Sequence, residues 1–187
     1  MKLELQDLNI QLPHAVLFQK KCDLTGLTLI QGENGIGKTQ WLDQLILTIP
    51  TPSLVFQKKL TPLNQTSLSN ELHFLEKHFC SLFQESRSQQ AINLFKTQFL
   101  HAPINLLSAG ENQIAKIIIS LSLDVDWYLW DEPFQNLSKE NEQILIELME
   151  VLKVEGKGIV IIDHGSRNIP SDIKVTLSRS ERGIEWN

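Results

Sequence analysis

The sequence of 187 residues predicts an α/β fold, in which a mainly parallel sheet is flanked by helices. Three observations support this prediction. In the second half of the chain, short apolar runs alternate with stretches of helical periodicity, as in parallel sheets. The first 31 residues show short apolar runs separated by turns, which predicts an N-terminal antiparallel β subdomain. Between about residues 66 and 102, apolar residues recur at helical spacing, which predicts an inserted helical subdomain.

Length and charge restrict the class of protein. We predict a single domain over residues 1–187, with residues 1–65 and 103–187 as its core. The sequence has no run of eighteen apolar residues, and its start lacks the apolar core of a signal peptide, so a cytoplasmic protein is expected. The formal net charge of −5 argues against nucleic acid as a partner. Cys22 and Cys80 match no metal-binding or redox spacing.

A glycine-rich loop follows the first strongly apolar strand. Residues 32–39 match the pattern G-x-x-x-x-G-K-[ST], with an apolar run before them and a helical pattern after them. This context is typical of the phosphate-binding loop of a P-loop NTPase core, in which backbone N–H groups surround the phosphates. Lys38 is predicted to reach the β- and γ-phosphates, and the Thr39 hydroxyl to ligate Mg²⁺. The predicted nucleotide-binding residues are Asn34, Gly35, Ile36, Gly37, Lys38, Thr39 and Gln40.

Polar side chains follow three later apolar runs. Gln57 comes after the first run, Asp131 and Glu132 after the second, and His164 after the third. Because ligands bind beyond the carboxyl ends of parallel strands, these residues are predicted to share one site with the phosphate loop. Asp131 is predicted to hold Mg²⁺ and Glu132 to orient the attacking water, which is a division of roles that phosphoryl transfer needs.

The order of these motifs resembles the ATPase subunit of ATP-binding cassette (ABC) proteins. The sequence Leu-Ser-Ala-Gly-Glu at residues 107–111 stands where the family has its L-S-G-G-Q signature. The resemblance covers nearly the whole chain and implies hydrolysis of ATP. It implies that Gln57 ligates Mg²⁺, and that His164 contacts the γ-phosphate and links it to Glu132. It also implies that Ser108 and Gly110 face nucleotide bound by a second subunit, in a head-to-tail dimer.

The same resemblance implies a cellular role. A homodimer, or a pair with a second ABC ATPase subunit, would lie on the cytoplasmic face of the membrane and drive a separate membrane-spanning subunit. The likeness extends weakly to the short exporter type, of which the haem-export ATPase of cytochrome c maturation is one example. Two alternatives stay open, namely a soluble ABC ATPase not coupled to transport and a nucleotide-dependent clamp with little hydrolysis.

Several positions depart from the family pattern. Ala109 replaces a glycine, Glu111 a glutamine, and Ser138 an aspartate. Ser138 is still predicted to cap a helix that begins at residue 139. An aromatic residue that stacks on adenine is expected in the amino-terminal hairpin. His14 and Phe18 are the candidates, although either fits a turn or a core position, so the choice between ATP and GTP stays open.

Overall fold

The computed structural model describes residues 2–5, 8–11, 16–19, 22–49, 54–56, 66–164, 167, 169–180 and 183–186. These residues form ten β-strands, five α-helices and a short 3₁₀ helix at Ile104–Leu106. The strands are β1 (Lys2–Leu5), β2 (Leu8–Gln11), β3 (Val16–Gln19), β4 (Cys22–Thr25), β5 (Leu27–Gly32), β6 (Leu54–Phe56), β7 (Trp127–Asp131), β8 (Gly158–Ile162), β9 (Ile173–Ser180) and β10 (Gly183–Trp186). The helices are α1 (Lys38–Thr48), α2 (Leu68–His78), α3 (Glu85–Leu94), α4 (Ala109–Leu121) and α5 (Lys139–Val154).

The larger sheet has eight strands in the order β2-β3-β10-β9-β5-β8-β7-β6. Its central strands are parallel, with Leu27 of β5 aligned with Ile159 of β8 and Trp127 of β7 aligned with Gly158. Parallel strands need crossover connections, and helices supply the long ones here. The carboxyl ends of β5, β6, β7 and β8 therefore lie along one edge of the sheet, which confirms the predicted α/β class.

The amino-terminal strands are antiparallel, as predicted. β1 pairs with β4 in a separate two-stranded sheet, while β2 and β3 form an antiparallel pair. That pair is not an isolated unit, because β3 runs parallel to β10, and β10 is antiparallel to β9. The amino-terminal strand pair and the carboxyl-terminal strands thus extend the same mixed sheet beyond its parallel centre.

Two apolar clusters cover the two faces of the larger sheet. Alternate residues of a strand point to opposite faces. Leu29 accordingly packs with α4 and α5, whereas its neighbour Ile30 packs with α1. Trp130 lies in the first cluster, is fully buried, and donates its indole N–H to Ser120 Oγ at 3.2 Å. Each buried aliphatic or aromatic side chain contributes roughly 1.5–3 kcal/mol to folding.

Helices α2 and α3 lie within the predicted insert and pack against α4. An isolated bridge from Ser67 to Pro103 joins the two ends of the insert, and a second bridge ties Phe83, in its middle, to Leu123 after α4. That residues 66–102 form a distinct subdomain stays a prediction. Among the described residues, no helix combines the length and the hydrophobicity that crossing a bilayer requires.

A charged network joins the insert to the core. Arg87 of α3 donates to the Tyr128 hydroxyl at 3.0 Å and pairs with Glu155 at 2.6 Å. Asp124 accepts from Lys157 at 2.7 Å, and this ion pair lowers the pKa of Asp124. Burial raises the pKa of Tyr128 to about 12, so its hydroxyl stays protonated and donates to the Leu123 carbonyl at 2.6 Å. The insert is therefore fixed to β7 by polar contacts as well as by packing.

Candidate functional site

The glycine-rich loop joins the end of β5 to the start of α1. Gly35 and Gly37 have φ angles of +75° and +104°, which L-residues rarely adopt. Ile36 between them is 1% exposed and packs in the apolar cluster beside α1, so only its backbone can contact a ligand. Ile36 thus fixes the loop to the core directly before α1, and the start of a helix suits the binding of an anion.

Lys38 is the first residue of α1, and its side chain lies across the loop. Its Nζ donates to the carbonyl oxygens of Gly32 at 2.7 Å and Glu33 at 2.9 Å. The residue is only 5% exposed. Burial lowers the pKa of Lys38, and the nearby carboxylates of Glu132, Asp131 and Asp163 oppose this effect. The ammonium group is thus held at the loop in a position to meet a phosphate.

Thr39 and Asp131 meet although 92 positions separate them in sequence. The Thr39 Oγ1–H group donates to Asp131 Oδ2 at 2.9 Å, and Asp131 is 9% exposed at the end of β7. A hydroxyl beside a carboxylate is a hard-oxygen pair, the kind of donor that Mg²⁺ selects when phosphates complete its coordination. These two residues therefore fit the predicted metal. Gln57, the third predicted ligand, lies outside the described residues.

Glu132 and His164 lie side by side at the ends of β7 and β8. Glu132 Oε1 is 2.7 Å from His164 Nε2, and the two side chains are 30% and 38% exposed. Glu132 has a φ of +55°, an uncommon value for a non-glycine residue. Its N–H donates to the Ile162 carbonyl at 2.9 Å, which ties this unusual backbone to β8. A carboxylate and an imidazole in contact can position a water molecule and its proton.

Gln113 of α4 supports this arrangement and was not predicted from the sequence. Its Nε2 donates to the carbonyl oxygens of Glu132 at 3.2 Å and Pro133 at 2.9 Å. Gln113 follows other polar residues in the first part of α4, and nothing local in the sequence indicates its partner. Helix α4 thus holds the backbone that carries the Glu132 carboxylate.

One cavity of about 530 Å³ brings the two halves of the site together. The phosphate loop and α1 line one side of it, and Glu132 and His164 line another. Gln135, which was not predicted, also contributes. The described lining residues are Asn34, Gly35, Gly37, Lys38, Thr39, Gln40, Glu132, Gln135 and His164.

Ser108 and Gly110 are not among the described residues that line this cavity. They lie at the start of α4, where Ser108 and Glu111 form a capping box. Glu111 Oε2 accepts from the Ser108 N–H at 2.8 Å and from its hydroxyl at 2.7 Å, and these bonds lower the pKa of Glu111. A Cβ at Gly110 would lie 2.7 Å from the Asn136 carbonyl oxygen, so this close approach requires glycine.

Three predicted positions remain, namely the capping residue Ser138 and the two candidates for stacking on adenine. Ser138 caps α5 as predicted, since its Oγ accepts from the Asn141 N–H at 3.2 Å. Both adenine-stacking candidates lie outside the description, because His14 is not among the described residues and nothing is described of the Phe18 side chain.

Comparisons of sequence relate the chain to ATP-binding proteins of ABC transporters, although no protein-family model matches it. The zinc transport system ATP-binding protein TroB of Treponema pallidum is 31% identical over 46% of this chain and 33% of its own length. A metal transport system ATP-binding protein of Chlamydia trachomatis is 37% identical over 38% of this chain and 27% of its own. The ribose import ATP-binding protein RbsA of Streptococcus agalactiae is 32% identical over 59% of this chain and 23% of its own length. The matched segments thus span a third or less of these relatives.

Solved ABC ATPases share the fold over most of the chain. The ATP-binding subunit of an ABC transporter superposes with a TM-score of 0.77 and 19% identity, covering 92% of this chain and 84% of that one. The archaeal ribosome recycling factor aABCE1 gives a TM-score of 0.79 and 19% identity, covering 98% of this chain and 38% of that one. The relatives named above act in metal and ribose transport, so the narrower likeness to a haem exporter is not confirmed.

Proposed function

We propose that this chain, a relative of ABC transporter ATP-binding proteins with the fold of an ABC ATPase, binds Mg²⁺-ATP and hydrolyses it. One observation carries the proposal. The phosphate loop and the Glu132–His164 pair line the same cavity, although about a hundred residues separate them in sequence. Phosphoryl transfer depends mainly on positioning and on stabilisation of charge. A cavity that combines a phosphate cradle with a water-orienting carboxylate suits that chemistry.

The triphosphate would bind across the loop. Backbone N–H groups of residues 34–39 and the start of α1 would receive the β-phosphate, while Lys38 would exchange its two carbonyl partners for phosphate oxygens. Thr39 and Asp131 would hold Mg²⁺, with the Gln57 amide as a further ligand. The metal ion, when bound, supplies positive charge to the β- and γ-phosphate oxygens. The adenine contact is left open between His14 and Phe18.

Glu132 and His164 would then act on the attacking water. The Glu132 carboxylate would accept a hydrogen bond from that water and orient it toward the γ-phosphate. His164 would hold the carboxylate through the contact of 2.7 Å and face the γ-phosphate with the rest of its ring. Carboxylate, imidazole and phosphate loop therefore have separate tasks in one cavity.

Ser108 and Gly110 would act in a dimer. Because they lie outside the cavity of their own chain, they would reach nucleotide only in a second copy or in another ABC ATPase subunit. The Ser108 N–H and hydroxyl both donate to Glu111. The γ-phosphate would therefore have to displace that carboxylate before it could accept hydrogen bonds from the serine. A glutamine could form the same capping box without a charge. The negative charge of Glu111 would therefore oppose the γ-phosphate and weaken ATP-driven closure.

The relatives named here support a transport role on the cytoplasmic face of a membrane, with a separate membrane-spanning partner. The helical insert would face that partner, since Phe74 and Phe79 are 51% and 45% exposed on and beside α2. Such half-exposed aromatic side chains are enriched in protein interfaces. A soluble ABC ATPase is the other candidate.

The Glu132→Gln variant tests hydrolysis. The amide keeps the size of the side chain but is a far weaker proton acceptor than a carboxylate. We therefore expect steady-state turnover to fall by at least about 10²-fold. The Kd for ATP, measured by calorimetry, should change by less than about threefold, because the phosphate loop is intact.

Glu140→Gln provides the control, since this exposed carboxylate on α5 is paired only with Lys96 among the described contacts. Its turnover should equal that of the wild type. Near-normal turnover in Glu132→Gln would contradict the role of Glu132, and failure of the wild type to bind ATP would contradict the proposed function itself.

A further inference from the structure

Arg167 connects the two segments that carry the Glu132–His164 pair. Its Nη1 donates to Asp163 Oδ1 at 2.9 Å, directly before His164 in sequence. Its guanidinium carbon lies 5.7 Å from the ring centroid of Phe134, two residues after Glu132. The arginine therefore contacts one residue on each side of the pair.

A third contact anchors the arginine to a helix. Its Nε donates to Glu142 Oε1 at 2.9 Å in the first turn of α5, where the Glu142 side chain is only 12% exposed. A guanidinium group is suited to such bridging because its donors form a planar, rigid fork, which a lysine cannot reproduce. Burial alone would lower the pKa of Arg167, but the bonds to Glu142 and Asp163 raise it on balance. The group remains a permanent cation.

The neighbours of this arginine are themselves immobilised. The Asp163 side chain is 2% exposed, and its N–H donates to the Ile30 carbonyl of β5 at 3.1 Å. Phe134 is 1% exposed in the core cluster. Because Asp163 and Phe134 are both held by the core, Arg167 links the chain leaving β8 to the chain leaving β7 through two well-ordered contacts.

We infer that Arg167 is a positioning residue for ATP hydrolysis, which holds His164 in register with the Glu132 carboxylate. The inference rests on the proposed function. Arg167 does not line the cavity among the described residues, so it acts through the pair and not on the nucleotide. Its loss should lower kcat while leaving the affinity for ATP and the KM close to their wild-type values.

Arg167→Met is the primary variant, because it replaces the aliphatic part of the side chain and removes every donor. We expect kcat to fall about 10- to 100-fold, as for displacements of about an ångström in a catalytic group. Arg167→Lys retains the charge but not the fork, so it should lose less activity. If Arg167→Met fails to fold, Arg167→Lys still tests whether Arg167 positions His164, because the lysine keeps a cation beside the buried Asp163.

Lys96→Met is the matched control. Lys96 also bridges to the first turn of α5, through Glu140 at 2.8 Å, but its described contacts include neither segment of the pair. Its kcat should be unchanged. The decisive comparison places Arg167→Met in a His164→Ala background, where it should cause little further loss of kcat.

The possible results distinguish failure of this inference from failure of the proposed function. An unchanged kcat in Arg167→Met and Arg167→Lys, with an active wild type, would overturn this inference alone. An equal fold loss of kcat with and without His164 would show that Arg167 acts independently of the histidine, which would also overturn it. A wild-type chain that binds but never hydrolyses ATP would overturn the proposed function and this inference together.

Discussion

Lys38 combines burial, charge and two hydrogen bonds within the phosphate loop. Its Nζ donates to the carbonyls of Gly32 and Glu33, at 2.7 and 2.9 Å, so the side chain is ordered before any ligand arrives. Ordering in advance lowers the entropy lost on binding. Nearby carboxylates oppose the effect of burial, which favours the ammonium form that a triphosphate needs. Substitution of Lys38 therefore tests whether the loop binds ATP.

Lys38→Ala should weaken ATP binding by at least about 10-fold, because a hydrogen bond to a charged group contributes roughly 1.5–3 kcal/mol. Calorimetry with a non-hydrolysable ATP analogue and Mg²⁺ would measure the Kd. Lys77→Ala, at an exposed position near the end of α2, serves as the control and should bind like the wild type. An unchanged Kd for the Lys38 variant would argue against the phosphate-loop assignment.

Helix α5 begins at a position where the sequence departs from the ABC pattern that it resembles. Ser138 replaces the expected aspartate, yet its Oγ accepts from the Asn141 N–H at 3.2 Å and starts the helix. Glu140 and Glu142 follow in the first turn, where acidic groups interact favourably with the helix dipole. Arg167 also donates to Glu142 in this turn, which links the start of α5 to the segment after β8.

Removing this cap should destabilise the protein measurably. We expect Ser138→Ala to lower the free energy of unfolding by about 1 kcal/mol, because an Asn141 backbone donor loses its partner. Ser138→Asp, which restores a capping oxygen, should lose almost nothing. Urea denaturation of both variants would measure the difference, and equal stability of Ser138→Ala and wild type would show that the cap does not stabilise the fold.

The candidate site and the predicted helical insert are formed by different elements of the chain. The insert is joined to β7 and to the end of α5 by the Arg87 network, whose contacts include Tyr128 and Glu155. We propose that a membrane-spanning partner docks at the exposed aromatic residues of the insert.

Recovery of the partner distinguishes transport from a soluble role. Tagged Glu132→Gln protein, purified from its native cell in mild detergent with Mg²⁺-ATP, should retain a polytopic membrane protein. A further Phe74→Ser change should reduce that recovery, whereas Val154→Ser, at an 87% exposed position at the end of α5, should not. Recovery of soluble partners alone would favour the soluble ABC ATPase.

Local patterns were sufficient for much of the fold. The phosphate loop is contiguous in sequence, so its pattern and its flanking elements could be recognised together. The shared position of the polar residues at one edge of the sheet was predicted because each of them follows an apolar run. The cap at Ser138 was also predictable, because a cap and its donor are three residues apart. In each case the interacting groups are close in sequence.

Contacts between residues far apart in the sequence could not be predicted from local patterns. The bond from Gln113 to the Glu132 carbonyl, the bridge from Arg167 to Glu142 and the joining of β3 to β10 each depend on register and packing. Periodicity indicates which face of a strand or helix is buried, but it does not specify the partner across the core. The chain's motifs thus determined the chemistry available to it. Only the tertiary structure decided which groups meet, because such contacts form where distant segments pack together.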